Sequence, residues 1–320
     1  MLITGIAAAM LAAPIVSASV PASTAHAAAA VSTSSYKEAV KQGDILAKVL
    51  AAYQKAISSG DIEAISNKYD GFTKQVSIVE KSIGKVYGAS KRAALLAKYI
   101  TPAKVEKSRT MYEVSQFRFL NKILDRLYAE EEYETYDSDM AKFERLAVRT
   151  AEVKKAGGFK PLPASVTADL RMGEAIAAGV NLSIYEYTVQ YSIDSEADLY
   201  TADAFYDDMN RYLKQTEIKI GHVSGRTNRT ELLKEFVSPA KSTSQRIKYE
   251  IEQLRLLDTV YDLAEAGLKE EANAEFSKLE GLKVKAAEIK KAGGFKALPK
   301  GVYTELVAYE KELKDILAEF

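Results

Sequence analysis

One short segment occurs twice in the chain and constrains the fold more than any other feature. Residues 153–163 read VKKAGGFKPLP, and residues 289–299 read IKKAGGFKALP. A glycine pair ends a helix readily because glycine adopts a left-handed backbone without steric cost. The two lysines before it suit the negative end of that helix. We therefore predict a helix that ends in each copy, with Gly157 as the left-handed residue of the first.

Other segments recur around this loop in the same order, which indicates an internal duplication. The recurring pairs are IGKVYG and IGHVSG, TPAK and SPAK, and YEVSQFR and YEIEQLR. Residues 83–120 and 220–257 align without a gap and share 16 identities in 38 positions. An identity this extended exceeds what helical composition alone produces, so we predict a tandem repeat.

The residue usage predicts an all-α fold made of two tandem, duplicated helical bundles. Ala, Lys, Glu and Leu dominate, whereas the chain contains only 7 Pro and 17 Gly, which favours helices throughout. The predicted bundles cover residues 36–172 and 173–320. No strong turn signal interrupts residues 165–192, so we expect one long continuous helix to join the bundles and to contain their boundary.

The N-terminal residues read as a targeting segment. Leu2 to Val20 carry no charge, and Ala25-His26-Ala27 has the small-x-small pattern that signal peptidases cleave. We predict a signal peptide over residues 1–27 and a flexible mature N-terminus over residues 28–35. A retained transmembrane anchor is the alternative. No later stretch is long and apolar enough for a membrane span, so the mature chain is expected to be secreted.

Charge and reactive residues exclude several classes of function. Lys+Arg and Asp+Glu are equal at 44 each, so no net charge favours nucleic acid or an anionic membrane as partner. The chain has no cysteine, and His222 is the only histidine after the predicted signal peptide. We therefore predict no catalytic residues, no metal site and no cofactor, with His222 as a solvent-facing residue. A carboxylate-based hydrolase is an alternative that no motif favours.

An acidic cluster and a pair of lysines are the remaining candidate sites. Glu130–Glu134 lacks the spacing of a calcium loop and is expected to be a solvated helix end. Lys104 and Lys241 follow a Thr-Pro or Ser-Pro pair, the pattern of an N-cap with proline at the first helical position. A lysine beside unpaired helix N–H groups would form an anion site, and a lysine directed to water is the alternative. The candidate anion-binding residues are Lys91, Arg92, Lys104, Arg109, Arg226, Arg229, Lys241 and Arg246.

These motifs together resemble the helical region of SbsC-type bacterial S-layer proteins. The IGxVxG turn, the helices begun by Thr/Ser-Pro-Ala-Lys and the KKAGGFKxLP loops carry the resemblance over most of residues 36–320. The resemblance implies a non-catalytic cell-wall or S-layer protein that binds an anionic secondary cell wall polysaccharide, with other exported wall or S-layer proteins as further partners. The abundance of tyrosine, 19 residues, also suits sugar binding, although boundary core positions explain most of them. The alternative is an extracellular helical module for protein interaction, without carbohydrate binding.

Overall fold

The computed structural model describes residues 22–129 and 135–319, with side chains from Thr33 onward. Over these ranges the chain forms helices joined by short turns and contains no strand. The predicted all-α class is therefore confirmed. None of the described helices is both long enough and apolar enough to cross a membrane.

The order of the helices follows the repeated segments of the sequence. The described helices are α1 (Ala22–Ser59), α2 (Ile62–Gly84), α3 (Ala89–Leu95), α4 (Thr101–Tyr128), α5 (Tyr136–Gly157), α6 (Ala164–Tyr191), α7 (Leu199–Gly221), α8 (Arg226–Leu232), α9 (Ser238–Glu265), α10 (Lys269–Phe276), α11 (Leu279–Gly293) and α12 (Lys300–Glu319). Short π-helical segments follow α3, α6 and α8, at Leu96–Ile100, Ser192–Glu196 and Leu233–Val237. Residues 28–35 lie within α1, and the flexible mature N-terminus expected there stays a prediction. Cleavage after residue 27 stays a prediction.

The helices α4 and α9 begin at the Thr-Pro and Ser-Pro pairs, as expected, but Thr101 and Ser238 are not N-caps, because the backbone before them is already helical. Thr101 has φ −55° and ψ −51°, and the π-helical segment before it leads directly into α4. Pro102 has no N–H and crowds the preceding turn, so a wider turn accommodates it. The Thr101 hydroxyl donates to the carbonyl of Leu96 over 3.3 Å. Ser238 repeats this geometry in the second copy, donating to the Leu233 carbonyl over 3.0 Å.

The two glycines of the repeated loop have different roles. Gly157 is the last residue of α5, and the left-handed residue is Gly158, with φ 58°, so the predicted cap lies one position later. A Cβ on Gly157 would lie 2.2 Å from the Phe159 ring, so this glycine makes room for the aromatic side chain. Residues 293–295 repeat the arrangement, with Gly294 at φ 60°.

The long helix predicted over residues 165–192 is present as α6, Ala164–Tyr191. Gly179 of α6 lets the Phe236 ring pack directly against the helix backbone, because a Cβ at this position would lie 2.3 Å from the ring. The chain divides into two compact units. The first consists of Met1–Ala52 and Asp70–Glu106, and the second consists of Tyr53–Tyr69 and Lys107–Phe320. The bundle boundary predicted inside α6 stays a prediction.

The apolar positions of α6 and α12 agree with the repeated pattern of the sequence. Val166 and Leu170 on α6 are buried, and so are Val302 and Leu306 at the same places in α12. Burial of side chains of this size stabilises a fold by about 1.5–3 kcal/mol each. In each helix an equivalent valine–leucine pair therefore packs against the neighbouring helices.

Candidate functional site

Lys104 and Lys241 each face a glutamate of a neighbouring helix. The Lys104 ammonium lies 2.7 Å from Glu80, and the Lys241 ammonium lies 2.5 Å from Glu217. Both lysine side chains remain largely exposed, at 59% and 50%. The N–H groups expected beside them belong to a continuous helix, so the helix-terminus argument for an anion site is wrong. What remains is an exposed ammonium with a carboxylate partner in each copy.

Arg109 and Arg246 are buried and brace the repeated loop. Arg109 donates to the carbonyls of Lys160 and Pro161, each over 2.6 Å. Arg246 donates to the carbonyls of residues 296 and 297 over 2.9 and 3.1 Å. The planar guanidinium fork suits two neighbouring acceptors of this kind. These two candidates therefore hold the chain after α5 and α11 and are not exposed to a polymer.

The second loop has an additional carboxylate. Asp194 accepts a hydrogen bond from Arg246 over 2.6 Å and another from Lys296 over 3.1 Å. The Arg246 hydrogen bond, against the opposing effect of burial, lowers the pKa of Asp194 below its ordinary value. Asp194 therefore acts as a charged clamp between Arg246 and the loop.

Arg92 and Arg229 close the IGxVxG turns. Arg92 donates to the Val86 carbonyl over 2.9 Å, and Arg229 donates to the Val223 carbonyl over 2.8 Å. Both valines are buried, so each turn is fixed by an apolar side chain inside and an arginine on its carbonyl. These arginines are half-buried and have a structural role in both copies.

The remaining candidates lie at the surface. Lys91 is exposed, with its ammonium 6.0 Å from the centre of the Tyr36 ring, and Arg226 is exposed at the start of α8. Together with Lys104 and Lys241, they are the candidate residues that are largely exposed. The first copy and the second copy contribute two each.

Several tyrosines expose aromatic surface that a ligand could contact. Tyr187 and Tyr191, one turn apart on α6, stack with ring centres 5.9 Å apart and an interplanar angle of 29°. Tyrosine rings combine apolar area with a hydroxyl, the combination that suits partly polar ligands. The more exposed tyrosines are Tyr36, Tyr87, Tyr128, Tyr187, Tyr191, Tyr200 and Tyr303.

The described residues contain no group of three or more histidine, cysteine, aspartate or glutamate side chains able to hold a metal ion. His222 is exposed, as expected. Glu130–Glu134 lies outside the described residues. Beyond it, Asp139 is buried and paired with Arg126 and, over 2.9 Å, with Lys142.

Two cavities at equivalent places of the repeat escaped the sequence reasoning. In the second copy, α9, α11 and α12 line a cavity of about 350 Å³ that includes Glu250, Gln253 and Lys290. In the first copy, α4, α5 and α6 line a cavity of about 420 Å³ that includes the counterparts of these residues. Volumes of this size fall at the lower end of small-molecule sites, which run from about 300 to 1,000 Å³.

A buried glutamate forms part of the wall of each cavity. Glu250 is 1% exposed and pairs with Lys290, and Glu113 is 4% exposed and pairs with Lys154. Burial raises the pKa of Glu250, and the Lys290 hydrogen bond opposes this shift. In both residues the second carboxylate oxygen, Oε2, has no hydrogen-bond partner among the residues that the structure describes.

The sequence does contain a pattern at the two glutamates, although this pattern predicts that they are buried and does not predict a binding site. Glu113, Gln116 and Leu120 lie at i, i+3 and i+7, on one face of α4, and the buried apolar residues Ile123 and Leu127 continue this face. The second copy keeps all three residues, at 250, 253 and 257. A charged residue retained in an apolar stripe in both copies is the signal that could have pointed to the cavities.

A family model described as the SbsC C-terminal domain matches residues 23–104 and 167–241. The two matched segments end at Lys104 and Lys241, which are equivalent positions of the repeat. Neither a curated protein nor a solved structure matches the chain. The two matched segments support an SbsC-type S-layer helical region in this chain, in agreement with its resemblance to the helical region of SbsC-type S-layer proteins.

Proposed function

We propose that this chain is an exported, non-catalytic protein of the bacterial cell wall or S-layer that binds an anionic secondary cell wall polysaccharide through its helical bundles. The observation that carries the proposal is the match to the SbsC C-terminal domain at residues 23–104 and 167–241. An S-layer or wall association follows from that family. Binding of the polysaccharide and export are the proposed parts.

Exposed cations in each copy support an anionic ligand. A surface ion pair contributes only about 0–1 kcal/mol, so a phosphate or carboxylate of a polymer can displace Glu80 from Lys104, or Glu217 from Lys241. A repeating polymer that engages both copies gains effective concentration over one that engages a single copy. The proposal therefore predicts binding that weakens with salt, because these groups lie in solvent.

A pull-down with purified wall sacculi tests this function. The full chain is mixed with intact sacculi and with sacculi from which the anionic polymer has been stripped. Retention on intact sacculi that is lost after stripping, and that falls as salt is raised, is the expected result. Absence of retention on intact sacculi at low salt would exclude the proposed function.

Variants locate the binding on the exposed lysines. Lys104→Glu combined with Lys241→Glu is expected to weaken retention far more than either single change. Lys122→Glu combined with Lys248→Glu changes the net charge equally, at exposed lysines outside the candidate set, and is the matched control. Equal weakening by both double variants would indicate a general charge effect rather than these lysines.

A helical protein-interaction module is the second candidate. Val148 on α5 and Val284 on α11 occupy equivalent positions and are exposed at 62% and 50%. A partner protein that contacts both copies would cover these two side chains, and burial of a valine side chain gains about 1.5–3 kcal/mol. Retention on sacculi that does not change when the polymer is stripped favours this candidate.

A further inference from the structure

We propose that the two equivalent cavities bind the acetamido group of an N-acetylated amino sugar, one in each copy of the repeat. This inference rests on the proposed function, since it names the sugar chemistry that a wall-binding protein would recognise. It concerns the cavities at Glu113 and Glu250 and not the exposed lysines. The shared chemistry is an N-acetylhexosamine, whether it belongs to the peptidoglycan strand or to the attached polymer.

The unpartnered carboxylate oxygen requires a hydrogen-bond donor. Oε2 of Glu250 and Oε2 of Glu113 are buried, line a cavity and accept no hydrogen bond from the described residues. A buried acceptor without a partner costs roughly 1–3 kcal/mol, and more when it is charged. An amide N–H from a bound ligand would satisfy this oxygen.

The charges around each cavity balance, which favours a neutral ligand. In the second copy, Glu250 faces Lys290, and Glu310 accepts from Lys283 over 2.7 Å. In the first copy, the lining acids Glu113 and Glu174 are matched by the lining bases Lys154 and Arg171. A phosphate or an ammonium would leave a net charge in either cavity, whereas an acetamido group leaves none.

The apolar part of the wall suits the methyl of that group. Leu257, Leu279 and Leu306 line the second cavity and are all buried. The first cavity has Phe143 and Leu170 in the corresponding places. An amide N–H next to a methyl therefore meets an acceptor and an apolar surface together, as small-molecule sites typically provide.

Two polar groups extend the site in the second copy. Lys290 donates to Glu250 and, over 2.8 Å, to the Tyr303 hydroxyl, and its third N–H can donate to the acetamido carbonyl. The exposed ring of Tyr303 lies at the rim, where a sugar face can pack on it. Thr167 occupies this position in the first copy, so the second cavity is expected to bind more tightly.

Two neutral disaccharides that differ in the acetamido group test the proposal. Saturation-transfer NMR of the full chain is recorded with N,N′-diacetylchitobiose and with cellobiose. The expected result is transfer to N,N′-diacetylchitobiose, strongest at the acetyl methyl, and none to cellobiose. Absence of transfer to either sugar, or equal transfer to both, would overturn the proposal.

Steric variants show whether the cavities hold the sugar. Ala151 and Ala287 are exposed and line the two cavities at equivalent positions, so a phenylalanine there fills each entrance without burying a larger side chain. Ala151→Phe combined with Ala287→Phe should abolish the transfer. Ala156→Phe combined with Ala292→Phe, on the same two helices but outside the cavity lining, should leave it unchanged. Transfer that persists with the filled cavities would overturn the proposal.

A second double variant tests the same site if the Ala151→Phe, Ala287→Phe protein does not fold. Glu113→Gln with Glu250→Gln replaces the unpartnered acceptor with an amide N–H while the other oxygen still faces the lysine. Loss of transfer supports the site, and unchanged transfer overturns it. This test needs no added side-chain volume.

Sacculi distinguish the source of the sugar and separate this inference from the proposed function. If the wild-type chain keeps part of its retention on stripped sacculi and the filled variant loses that part, the sugar belongs to peptidoglycan; if the filled variant loses only the retention that stripping also removes, the sugar belongs to the polymer. A filled variant that binds both kinds of sacculi as the wild-type chain does overturns the cavity proposal and leaves wall binding intact. A wild-type chain that binds no sacculi contradicts the proposed function, and the disaccharide result alone then decides the cavities.

Discussion

Ser165 donates its hydroxyl hydrogen to the carbonyl oxygen of Gly60 over 2.8 Å, and the two residues are packed so closely that only glycine fits at position 60. A Cβ on Gly60 would lie 2.0 Å from the Ser165 Oγ, and the backbone there is left-handed, with φ 73°. The second copy exchanges the two roles. Ala197 takes the left-handed position, with φ 55°, and Gly301 stands where the serine would be, with its missing Cβ 2.7 Å from the Ala197 Cβ.

This exchange predicts a compensating pair of substitutions. Gly60→Ala is expected to lower the free energy of unfolding by about 2 kcal/mol or more, since it adds a clash to a left-handed backbone. In a Ser165→Gly background the same change should cost clearly less, because it reproduces the arrangement of Ala197 and Gly301. Urea unfolding followed by circular dichroism measures the double-mutant cycle.

Gly71→Ala is the matched control for that cycle. A Cβ on Gly71 meets no atom within 4 Å, so alanine in the middle of α2 should be neutral or stabilise by about 0.5–1 kcal/mol. Equal costs of Gly60→Ala in both backgrounds would show that Ser165 and residue 60 do not limit each other.

The sequence predicted much of this architecture, because its signals are local. Helical periodicity, few breaking residues and the repeated glycine pair were sufficient for the all-α class and for the long helix α6. Asp61 shows the same locality: an aspartate directly before α2 is a common N-cap residue, and its carboxylate accepts from the Ala64 N–H over 3.1 Å. These features depend on residues within one turn of each other, so a single sequence contains them.

The candidate site was less predictable, because its partners are distant in the chain. Lys104 looked like a cation beside the free N–H groups of a helix end, but the π-helical segment Leu96–Ile100 runs directly into α4. Arg109 looked like a surface cation, but it is buried on carbonyls some fifty residues later. A spacing rule gives the face of a helix on which a side chain lies and does not identify the loop that returns to it.

Replacement of Asp194 should make stability depend less on pH. The lowered pKa of Asp194 means that its contribution is present above the ordinary aspartate pKa of about 3.9 and is lost as the pH falls through its folded value. Asp194→Asn should therefore lower the free energy of unfolding at neutral pH by about 1.5–3 kcal/mol, since Arg246 loses a charged partner. Urea unfolding at neutral and acid pH should show this difference shrinking as the pH falls.

Asp207→Asn is the control for the pH experiment. Asp207 also pairs with an arginine, Arg255, over 3.0 Å, but its side chain is 75% exposed. An exposed pair contributes about 0–1 kcal/mol at most. If both variants cost the same at neutral pH, the Asp194 clamp does not stabilise the loop.

Replacement of Arg109 should loosen one loop and leave its counterpart unchanged. Arg109→Lys keeps the charge but loses the fork that reaches two carbonyls at once, so the loop at residues 158–163 should exchange its amide hydrogens faster. Hydrogen-exchange mass spectrometry measures both loops in the same sample, with residues 294–299 as the internal control. Arg246→Lys should give the reverse pattern. Faster exchange in both loops from either single change would mean that the variants loosen the whole chain.

Removal of the lysine partner of a buried glutamate should destabilise the second copy strongly and with a defined pH dependence. Lys290→Met leaves the Glu250 carboxylate buried without its cation, which typically costs about 3–5 kcal/mol. Burial raises the pKa of Glu250, and without Lys290 the rise should be larger. A raised folded pKa favours the folded state below the ordinary glutamate pKa of about 4.3, and this benefit is lost as the pH rises through the folded value.

The cost of Lys290→Met should therefore grow from acid to neutral pH, the opposite of the Asp194→Asn result. Adding Glu250→Gln should recover part of the loss, because a neutral amide replaces the unpaired charge. Lys314→Met is the control, since Lys314 pairs with Glu310 over 2.8 Å but is 58% exposed, and it should cost about 0–1 kcal/mol. Urea unfolding at acid and neutral pH measures these costs for Lys290→Met, for Lys290→Met with Glu250→Gln, and for Lys314→Met. A Lys290→Met cost that is independent of pH, or no larger than the Lys314→Met cost, would mean that Glu250 does not carry a buried charge in the folded chain.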